Sequence, residues 1–220
     1  MAYDASVRFT ADQALARLRE GNKRFTSNVR SIEALASQAA RGALVDGQSP
    51  FAILLSCSDS RVPAEIVFDC GLGDLFVVRI AGNCVAPSII GSVEFAAAAF
   101  GTELVVVMGH ESCGAVKATL EALDPSAPAS ISDNVRDIVG RIMPAVAELK
   151  HAGLPYETLL PAAIRANVRA SVSHLRHGSA LLERRISEGR LRVLGAEYSL
   201  ETGAVDFFDG ADERVALRAV

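Results

Sequence analysis

The chain has 220 residues, enough for one large domain with a substantial core. Half of the residues (50%) are hydrophobic, which excludes a largely disordered chain, and the core must be built from aliphatic side chains because tryptophan is absent. With 22 basic and 26 acidic residues the net charge is −4, so neither nucleic acid nor an anionic membrane is an expected partner.

The first 25 residues mix acidic with basic side chains and contain no apolar segment of the signal-peptide type. The longest membrane-helix candidate, 84–102, is broken by Pro87, Gly91 and Glu94. We therefore expect a cytoplasmic protein with no membrane association. In such a reducing compartment the four cysteines are expected to be ligands, nucleophiles or core residues rather than disulfides.

The predicted elements alternate along the chain. Four apolar runs are typical of strands that are buried on both faces: 51–57, 74–80, 103–110 and 191–199. An alternating segment at 204–209 predicts a C-terminal edge strand. Helical patterns cover 10–25, 88–100, 114–123, 132–150 with a kink at Pro144, and 157–188 with an interruption at Gly178. This order predicts an α/β fold with a mostly parallel central sheet flanked by helices.

No internal repeat divides the sequence, and residues 124–130 (DPSAPAS) have the composition of a surface loop. We therefore predict a single domain over 1–220. The first helix precedes the first strand and has little to bury against within one α/β unit. We expect the N-terminal helical arm, residues 1–45, to pack on a partner subunit.

Reactive side chains follow two of the predicted strands. In "LLSCSDSRVPAE" (54–65), Cys57 ends the first strand, while His110 ends the third strand and precedes Cys113 by three residues. Functional groups gather at the carboxyl ends of parallel strands, and the i, i+3 spacing lets His110 and Cys113 point toward one position. Two thiolates and one imidazole, with a fourth position left for water, form a known catalytic zinc set, and sulfur donors favour zinc.

The residues alone leave other interpretations open. A cysteine at a strand end is often a small buried hydrophobic residue, and Cys113 with His110 could be a thiol nucleophile and its base. The metal hypothesis accounts for more of the residues, because the nucleophile hypothesis leaves Cys57 without a role. Asp59 and Arg61 also favour a chemical site, since charged groups are costly at a buried strand end.

These motifs resemble the β class of carbonic anhydrases. The resemblance rests chiefly on "CSDSR" (57–61) and "GHESCGAV" (109–116). It extends over nearly the whole chain through "GNKRF" (21–25), "GQSP" (47–50), "GDLFVVRIAGN" (73–83), "GSVEFA" (91–96), "NVR" (167–169) and "GRLRVLGAEYSLETGAV" (189–205). It implies a zinc lyase that reversibly hydrates carbon dioxide to bicarbonate and a proton by attack of zinc-bound hydroxide.

The resemblance also implies roles for individual residues. Cys57, His110 and Cys113 would hold Zn²⁺. Asp59 would accept a hydrogen bond from the attacking oxygen, and Arg61 would hold Asp59 in place and keep it ionised. In similar proteins the aspartate sometimes moves onto the zinc as a fourth ligand and closes the site.

The resemblance also implies residues of the substrate pocket. Gln48 matches a glutamine that donates a hydrogen bond to substrate in the plant-like branch of the family. Phe76, Ala81 and Phe95 match apolar pocket positions that suit carbon dioxide and can be supplied across a dimer interface. The resemblance thus implies a homodimer or a larger homo-oligomer.

Two other functions remain compatible with the motifs. One is hydrolysis of carbon disulfide or a related small heteroallene at the same site, and the other is a non-catalytic scaffold that binds zinc or bicarbonate. Cys70 and Cys84 match no zinc role and are predicted to be packing residues. His174 and His177 are predicted to lie on a solvated helix face.

Overall fold

The computed structural model describes residues 8–32, 37–124 and 132–211. Its centre is a five-stranded sheet with the strand order β2-β1-β3-β4-β5. The strands are β1 (Ala52–Ser56), β2 (Leu75–Arg79), β3 (Leu104–His110), β4 (Arg192–Tyr198) and β5 (Val205–Asp209). Strands β2, β1, β3 and β4 are parallel, and β5 pairs with β4 in the antiparallel direction at the edge. The predicted fold class, including the C-terminal edge strand, is confirmed.

The helices cover the intervals in which helical patterns were found. They are α1 (Ala11–Thr26), α2 (Gln38–Ala43), α3 (Ala64–Val67), α4 (Pro87–Ala99), α5 (Gly114–Ala122), α6 (Asp133–His151), α7 (Tyr156–His177) and α8 (Ala180–Ser187). The interruption at Gly178 separates α7 from α8, and α6 continues through Pro144. The short helices α2 and α3 carry too few residues for a periodic pattern and were not predicted. Residues 125–130 of the expected surface loop lie outside the described part of the chain.

Apolar side chains fill both faces of the sheet. Every residue of β1 and β3 is buried, which is why these strands have continuous apolar runs instead of alternation. One face packs against α1 and α3, and the other packs against α4, α7 and α8. A third apolar cluster, built by α5, α6 and the start of α7, covers the carboxyl ends of the strands around Cys57 and Cys113. This cluster encloses the edge of the sheet where the reactive side chains were expected.

Helix α1 packs on its own chain. Its start is fixed by a capping box, in which Thr10 and Gln13 each accept a hydrogen bond from the other's backbone N–H. Leu15 and Leu18 are buried in the core, and a Cβ atom at Gly21 would lie 1.9 Å from the Phe68 carbonyl oxygen. The expectation that this helix has little to bury against was therefore wrong, because α1 covers one face of its own sheet. The sequence could not show this packing. Contact between residues 1–45 and a partner subunit stays a prediction.

Among the helices of the described ranges, none is both long enough and apolar enough to cross a bilayer.

Candidate metal centre and active site

Two adjacent parallel strands bring the reactive side chains together. Because β1 and β3 are neighbours with Ser56 opposite Met108, the residues that follow β1 lie beside the end of β3. Cys57 follows β1, His110 ends β3, and Cys113 lies immediately before α5. Their candidate ligand atoms all lie within 4.8 Å of one another, and all three residues are buried. The expected convergence of the two sulfurs and the imidazole is therefore present, and we call Cys57, His110 and Cys113 together the metal group.

The hydrogen bonding of His110 leaves one ring nitrogen available. Its Nδ1 atom lies 2.8 Å from the Glu111 carbonyl oxygen, which can only accept, so Nδ1 carries the proton. The Nε2 atom is then a lone-pair donor, and within the described residues it is buried without a hydrogen-bond partner. A buried nitrogen without a partner is costly unless it binds something else, and this tautomer is the one that a metal-binding histidine needs.

The two sulfurs influence each other strongly. The hydrogen bond between Cys113 and Cys57 is the largest cause that lowers the pKa of Cys57, and burial opposes it. The backbone N–H of Gly82 also donates to this sulfur, at 3.3 Å, and helps to hold the pKa of Cys57 below its usual value. The same contact with Cys57, together with burial, raises the pKa of Cys113. The site therefore favours a thiolate at Cys57.

The donor set fits a zinc ion. Two cysteine sulfurs and one free imidazole nitrogen converge in a buried position, and these donor types select zinc over the harder cations magnesium, calcium and manganese. Three protein ligands also leave a fourth tetrahedral position for water or substrate, as in catalytic zinc sites.

Asp59 and Arg61 form a closely bonded pair beside this group. Arg61 donates from Nε to Asp59 Oδ1 at 2.9 Å and from Nη2 to Oδ2 at 2.7 Å, and its backbone N–H also donates to Oδ1 at 2.9 Å. Asp59 Oδ2 lies 3.9 Å from His110 Nε2, so the carboxylate borders the metal group while it remains bonded to Arg61. The side-chain hydrogen bond from Arg61 is the largest cause that holds the pKa of Asp59 well below its usual range. Asp59 is therefore ionised at neutral pH.

Arg79 supports this loop, although the sequence patterns assigned it no role. Its Nε donates to the Cys57 carbonyl oxygen at 3.1 Å, and its Nη2 donates to the Asp59 carbonyl oxygen at 2.7 Å. Arg79 thereby holds the backbone of Cys57 and Asp59 in place. Its position at the carboxyl end of β2, which neighbours β1, was the signal that could have revealed it.

The expected substrate residues are not all near this group. Ala81 precedes Gly82, whose N–H contacts Cys57, so it lies at the site. Gln48 lines an open cleft of about 460 Å³ with Gly73 and Phe100, at the amino ends of the strands. Strand β1 separates Gln48 from Cys57, and its five residues at about 3.3 Å each correspond to about 16 Å. Gln48 therefore lies at the opposite edge of the sheet from the metal group of its own chain.

The two expected aromatic pocket residues belong to a separate cluster. Phe76 and Phe95 have ring centroids 6.3 Å apart, and both pack with Phe100. Phe95 is 57% exposed, which is unusual for a phenylalanine with two aromatic neighbours. This cluster lies on β2 and α4, and β2 is an edge strand of the sheet. Its exposed apolar side chains are therefore available to another molecule.

The remaining cysteines lie outside the metal group. Cys70 donates its S–H to the Phe68 carbonyl oxygen, and Cys84 donates to that of Ala81. Burial raises the pKa of both thiols, to about 12 for Cys70. Both are buried thiols with backbone partners, as expected for packing residues.

Comparison with known sequences identifies the family. A sequence model described as "Carbonic anhydrase" matches residues 52–205, which is more than half of the chain. The "Carbonic anhydrase 2" of Mycobacterium tuberculosis is 40% identical over 187 residues, covering 84% of this chain and 87% of that relative. The "Carbonic anhydrase" of Mycolicibacterium smegmatis is 39% identical over 189 residues, covering 86% of this chain and 89% of that relative.

Comparison with solved structures agrees with the sequences. The β-carbonic anhydrase CcaA has a TM-score of 0.68 and 27% identity, covering 89% of this chain and 91% of that chain. A β-carbonic anhydrase of Sordaria macrospora, described as tetrameric, has a TM-score of 0.67 over 76% of this chain and 85% of its own, and its 23% identity supports the fold alone. The sequence relatives, the shared fold and the convergent Cys57, His110 and Cys113 together lead to one conclusion: the chain belongs to the carbonic anhydrase family, in its β class.

Proposed function

We propose that this enzyme reversibly hydrates carbon dioxide to bicarbonate and a proton at a zinc ion held by Cys57, His110 and Cys113. The observation that carries the proposal is the buried His110 Nε2 atom, which lacks a hydrogen-bond partner among the described residues, on an imidazole ring that offers a ligand atom within 4.8 Å of both sulfurs. Zinc bound there would supply the Lewis acidity that activates water for attack on the carbon atom. Family membership supports the same reaction.

Asp59 and Arg61 would orient the reacting water. An ionised carboxylate only accepts hydrogen bonds, so Asp59 would take one from the water and direct the oxygen lone pair toward the substrate. Arg61 bonds both carboxylate oxygens, which holds Asp59 back from the metal position and keeps it charged. Arg79 would keep the Asp59 backbone at a constant distance from Cys57 through its two carbonyl contacts.

A second copy of the chain would complete the substrate pocket. Gln48 lies at the amino edge of the sheet, near the start of β2, and the metal group lies at the carboxyl edge, near its end. If the β2 edges of two copies ran antiparallel about a two-fold axis, the partner subunit's Gln48 would approach the metal group of the first copy. The exposed aromatic cluster of Phe76 and Phe95 lies on the same edge and would supply the apolar wall. We therefore propose a homodimer or a larger homo-oligomer as the active form.

The chemistry of the cysteines also bears on the cell compartment. The four cysteines of the chain (Cys57, Cys70, Cys84 and Cys113) form no disulfide. Free thiols persist in a reducing environment, so we propose that the enzyme works in the cytoplasm.

Stopped-flow carbon dioxide hydration at mildly alkaline pH tests the proposal, with zinc content measured in the same sample. We expect turnover with about one zinc per chain, the stoichiometry of a three-ligand catalytic site. His110→Gln should lose both zinc and turnover, whereas the matched variant His174→Gln, on the surface of α7, should keep both. Zinc-loaded protein without turnover, or protein that hydrolyses carbon disulfide instead, would contradict the proposed reaction. Zinc retained by His110→Gln would contradict the proposed ligands.

A further inference from the structure

A strained turn contacts the sulfur of Cys57. Residues 81–83 form a single 3₁₀ turn after β2, in which Gly82 has φ 71° and Asn83 has φ 43°. The backbone N–H of Gly82 donates to Cys57 Sγ at 3.3 Å. A Cβ atom at Gly82 would lie 2.6 Å from Ile142 Cδ1 and 2.9 Å from Ala115 Cβ, so only glycine fits between α5 and α6 at this point. Glycine adopts a positive φ without strain, but Asn83 does so at a cost, and such a conformation persists only where surrounding groups hold it.

Two polar side chains of α7 hold this turn. Asn167 Nδ2 donates to the Gly82 carbonyl oxygen at 2.7 Å, and Ser171 Oγ donates to the Asn83 carbonyl oxygen at 3.1 Å. The two residues are four positions apart on the helix and therefore lie on one face. They are only 2% and 4% exposed. Neither residue belongs to the proposed zinc ligands, and the "NVR" motif that contains Asn167 has no role in the proposed reaction.

A hydrogen bond to a thiolate reduces the electron density that the sulfur can donate to a bound metal. The N–H withdraws electron density from sulfur, so a metal bound to the same sulfur receives less charge and remains a stronger Lewis acid. The contact depends on direction, because an N–H that rotates away from sulfur loses its hydrogen bond. In this chain the direction of the Gly82 N–H is determined by the conformation of the 81–83 turn.

We propose that Asn167, assisted by Ser171, is a positioning residue for the metal centre: it fixes the 81–83 turn so that the Gly82 N–H points at Cys57 Sγ and limits electron donation from that sulfur to the metal. The inference rests on the proposed zinc site. A purely structural role, in which Asn167 only satisfies a buried carbonyl group, would leave the metal–sulfur bond unchanged.

Cobalt substitution separates these two roles, because Co²⁺ bound to thiolates shows a sulfur-to-metal charge-transfer absorption whose energy reports on electron donation from sulfur. We expect this band to move to longer wavelength in Asn167→Ala and to move less in Ser171→Ala. The matched control is Asn22→Ala, which removes another buried amide that donates to backbone carbonyls, at Val67 (3.2 Å) and Gly203 (2.8 Å). Asn22→Ala should lower the thermal stability but leave the band where it is in the wild type.

The outcomes decide between the hypotheses. An unmoved band in Asn167→Ala, with a stability loss like that of Asn22→Ala, would overturn the inference and leave a structural role. If Asn167→Ala does not fold, Ser171→Ala decides, since it removes only a hydroxyl group: a shifted band supports the inference and an unmoved band overturns it. Wild-type protein that binds no cobalt through sulfur would instead overturn the proposed metal site, and the inference with it.

Discussion

An aspartate and a buried cysteine lie within two residues of each other at two places in the molecule. Cys57 and Asp59 follow β1 at the carboxyl edge of the sheet, and Asp69 and Cys70 form the turn that follows α3. Each aspartate is paired with arginine, Asp59 with Arg61 and Asp69 with Arg24. The two regions therefore contain the same residue types, and the cysteine is buried in both. They differ in a further group: the buried His110 lies beside Asp59 only.

In the turn after α3, both Asp69 and Cys70 have hydrogen-bond partners within the chain. The Asp69 side chain has no exposed surface, and it accepts from Arg24 Nε at 2.6 Å and from the Ser31 backbone N–H at 3.0 Å, with Arg30 at 3.2 Å. Cys70 has a carbonyl partner at Phe68. At the carboxyl edge, by contrast, His110 Nε2 has no partner among the described residues. Both regions thus combine a buried cysteine with an Asp–Arg pair. The region suited to chemistry is distinguished by a buried nitrogen atom, His110 Nε2, that has no hydrogen-bond partner among the described residues.

The thiols show the same contrast. Burial raises the pKa of Cys70 to about 12, with the charge of Asp74 adding to the effect. Cys57 is also buried, yet the hydrogen bonds from Cys113 and from the Gly82 N–H hold its pKa below the usual value. The neighbours of a buried cysteine, rather than its depth, decide whether it can be a ligand.

Replacing each of the two cysteines by alanine should give the largest contrast between the two regions. Cys57→Ala removes a proposed zinc ligand, so we expect zinc affinity and kcat/KM to fall by more than about 100-fold, the upper range for loss of a supporting contact. Cys70→Ala should keep zinc and turnover and lose only about 1 kcal/mol of stability from packing. Metal analysis, stopped-flow kinetics and urea unfolding measure the three quantities. Full zinc retention in Cys57→Ala would remove the distinction between the regions.

Replacing each of the two arginines by alanine should separate the orientation of Asp59 from the stability of the fold. Arg61→Ala leaves Asp59 without its two side-chain hydrogen bonds, so we expect kcat/KM to fall about 10- to 100-fold while zinc is retained. Because Arg61 is 53% exposed, its loss should change stability little. Arg24→Ala should have the opposite profile: unchanged kcat/KM, and a free energy of unfolding about 1–3 kcal/mol lower because a buried carboxylate loses a partner. Similar profiles for the two variants would contradict this assignment.

Thiol alkylation should separate Cys57 from Cys70 directly. In chelator-treated protein at pH 7, we expect Cys57 to carry more thiolate than Cys70, because hydrogen bonds lower the pKa of Cys57 whereas burial raises the pKa of Cys70 to about 12. The thiolate is the nucleophile, so iodoacetamide should modify Cys57 at least about tenfold faster than Cys70. Peptide mass spectrometry over a time course identifies the modified residues. Equal rates in the folded protein would show that the neighbours of Cys57 do not control its ionisation.

The smallest expected effect is the change with pH in the stability that Asp69 contributes. Burial raises the pKa of Asp69, but the hydrogen bonds from Arg24 and Ser31 outweigh it, so the pKa lies below the usual value. A carboxyl group of this kind stabilises the folded state above its unfolded pKa of about 3.9, and that contribution is lost as the pH falls through the folded pKa. Asp69→Asn should therefore lower the free energy of unfolding by about 1–3 kcal/mol at pH 7, and by less in acid.

Urea unfolding at pH 7 and near pH 3 measures this difference. The control is Asp133→Asn, because the Asp133 side chain is 93% exposed and should contribute little at either pH. A stability gap between wild type and Asp69→Asn that stays constant with pH would show that the Asp69 charge does not contribute through its ionisation.

Much of the fold and of the site was predictable because it is encoded locally. Runs of buried aliphatic residues indicated β1 to β4, and Gly178 marked the break between α7 and α8. The spacing of His110 and Cys113 within one strand–helix connection predicted that both could face one point, and the parallel order of the strands added Cys57. Each of these inferences needs only the period of an element or the general rule for strand ends.

The sequence by itself thus determined an α/β sheet, the three convergent metal-ligand candidates and the Asp59–Arg61 pair. Only the tertiary structure decided that α1 covers its own sheet, that Gln48 lies at the opposite edge from Cys57, and that Asn167 holds Gly82. The physical reason is distance along the chain: Asn22 bonds Gly203 across 181 positions and Asn167 bonds Gly82 across 85. Such contacts have no local pattern, because they exist only once the buried apolar faces have packed and brought the backbone groups within hydrogen-bond reach.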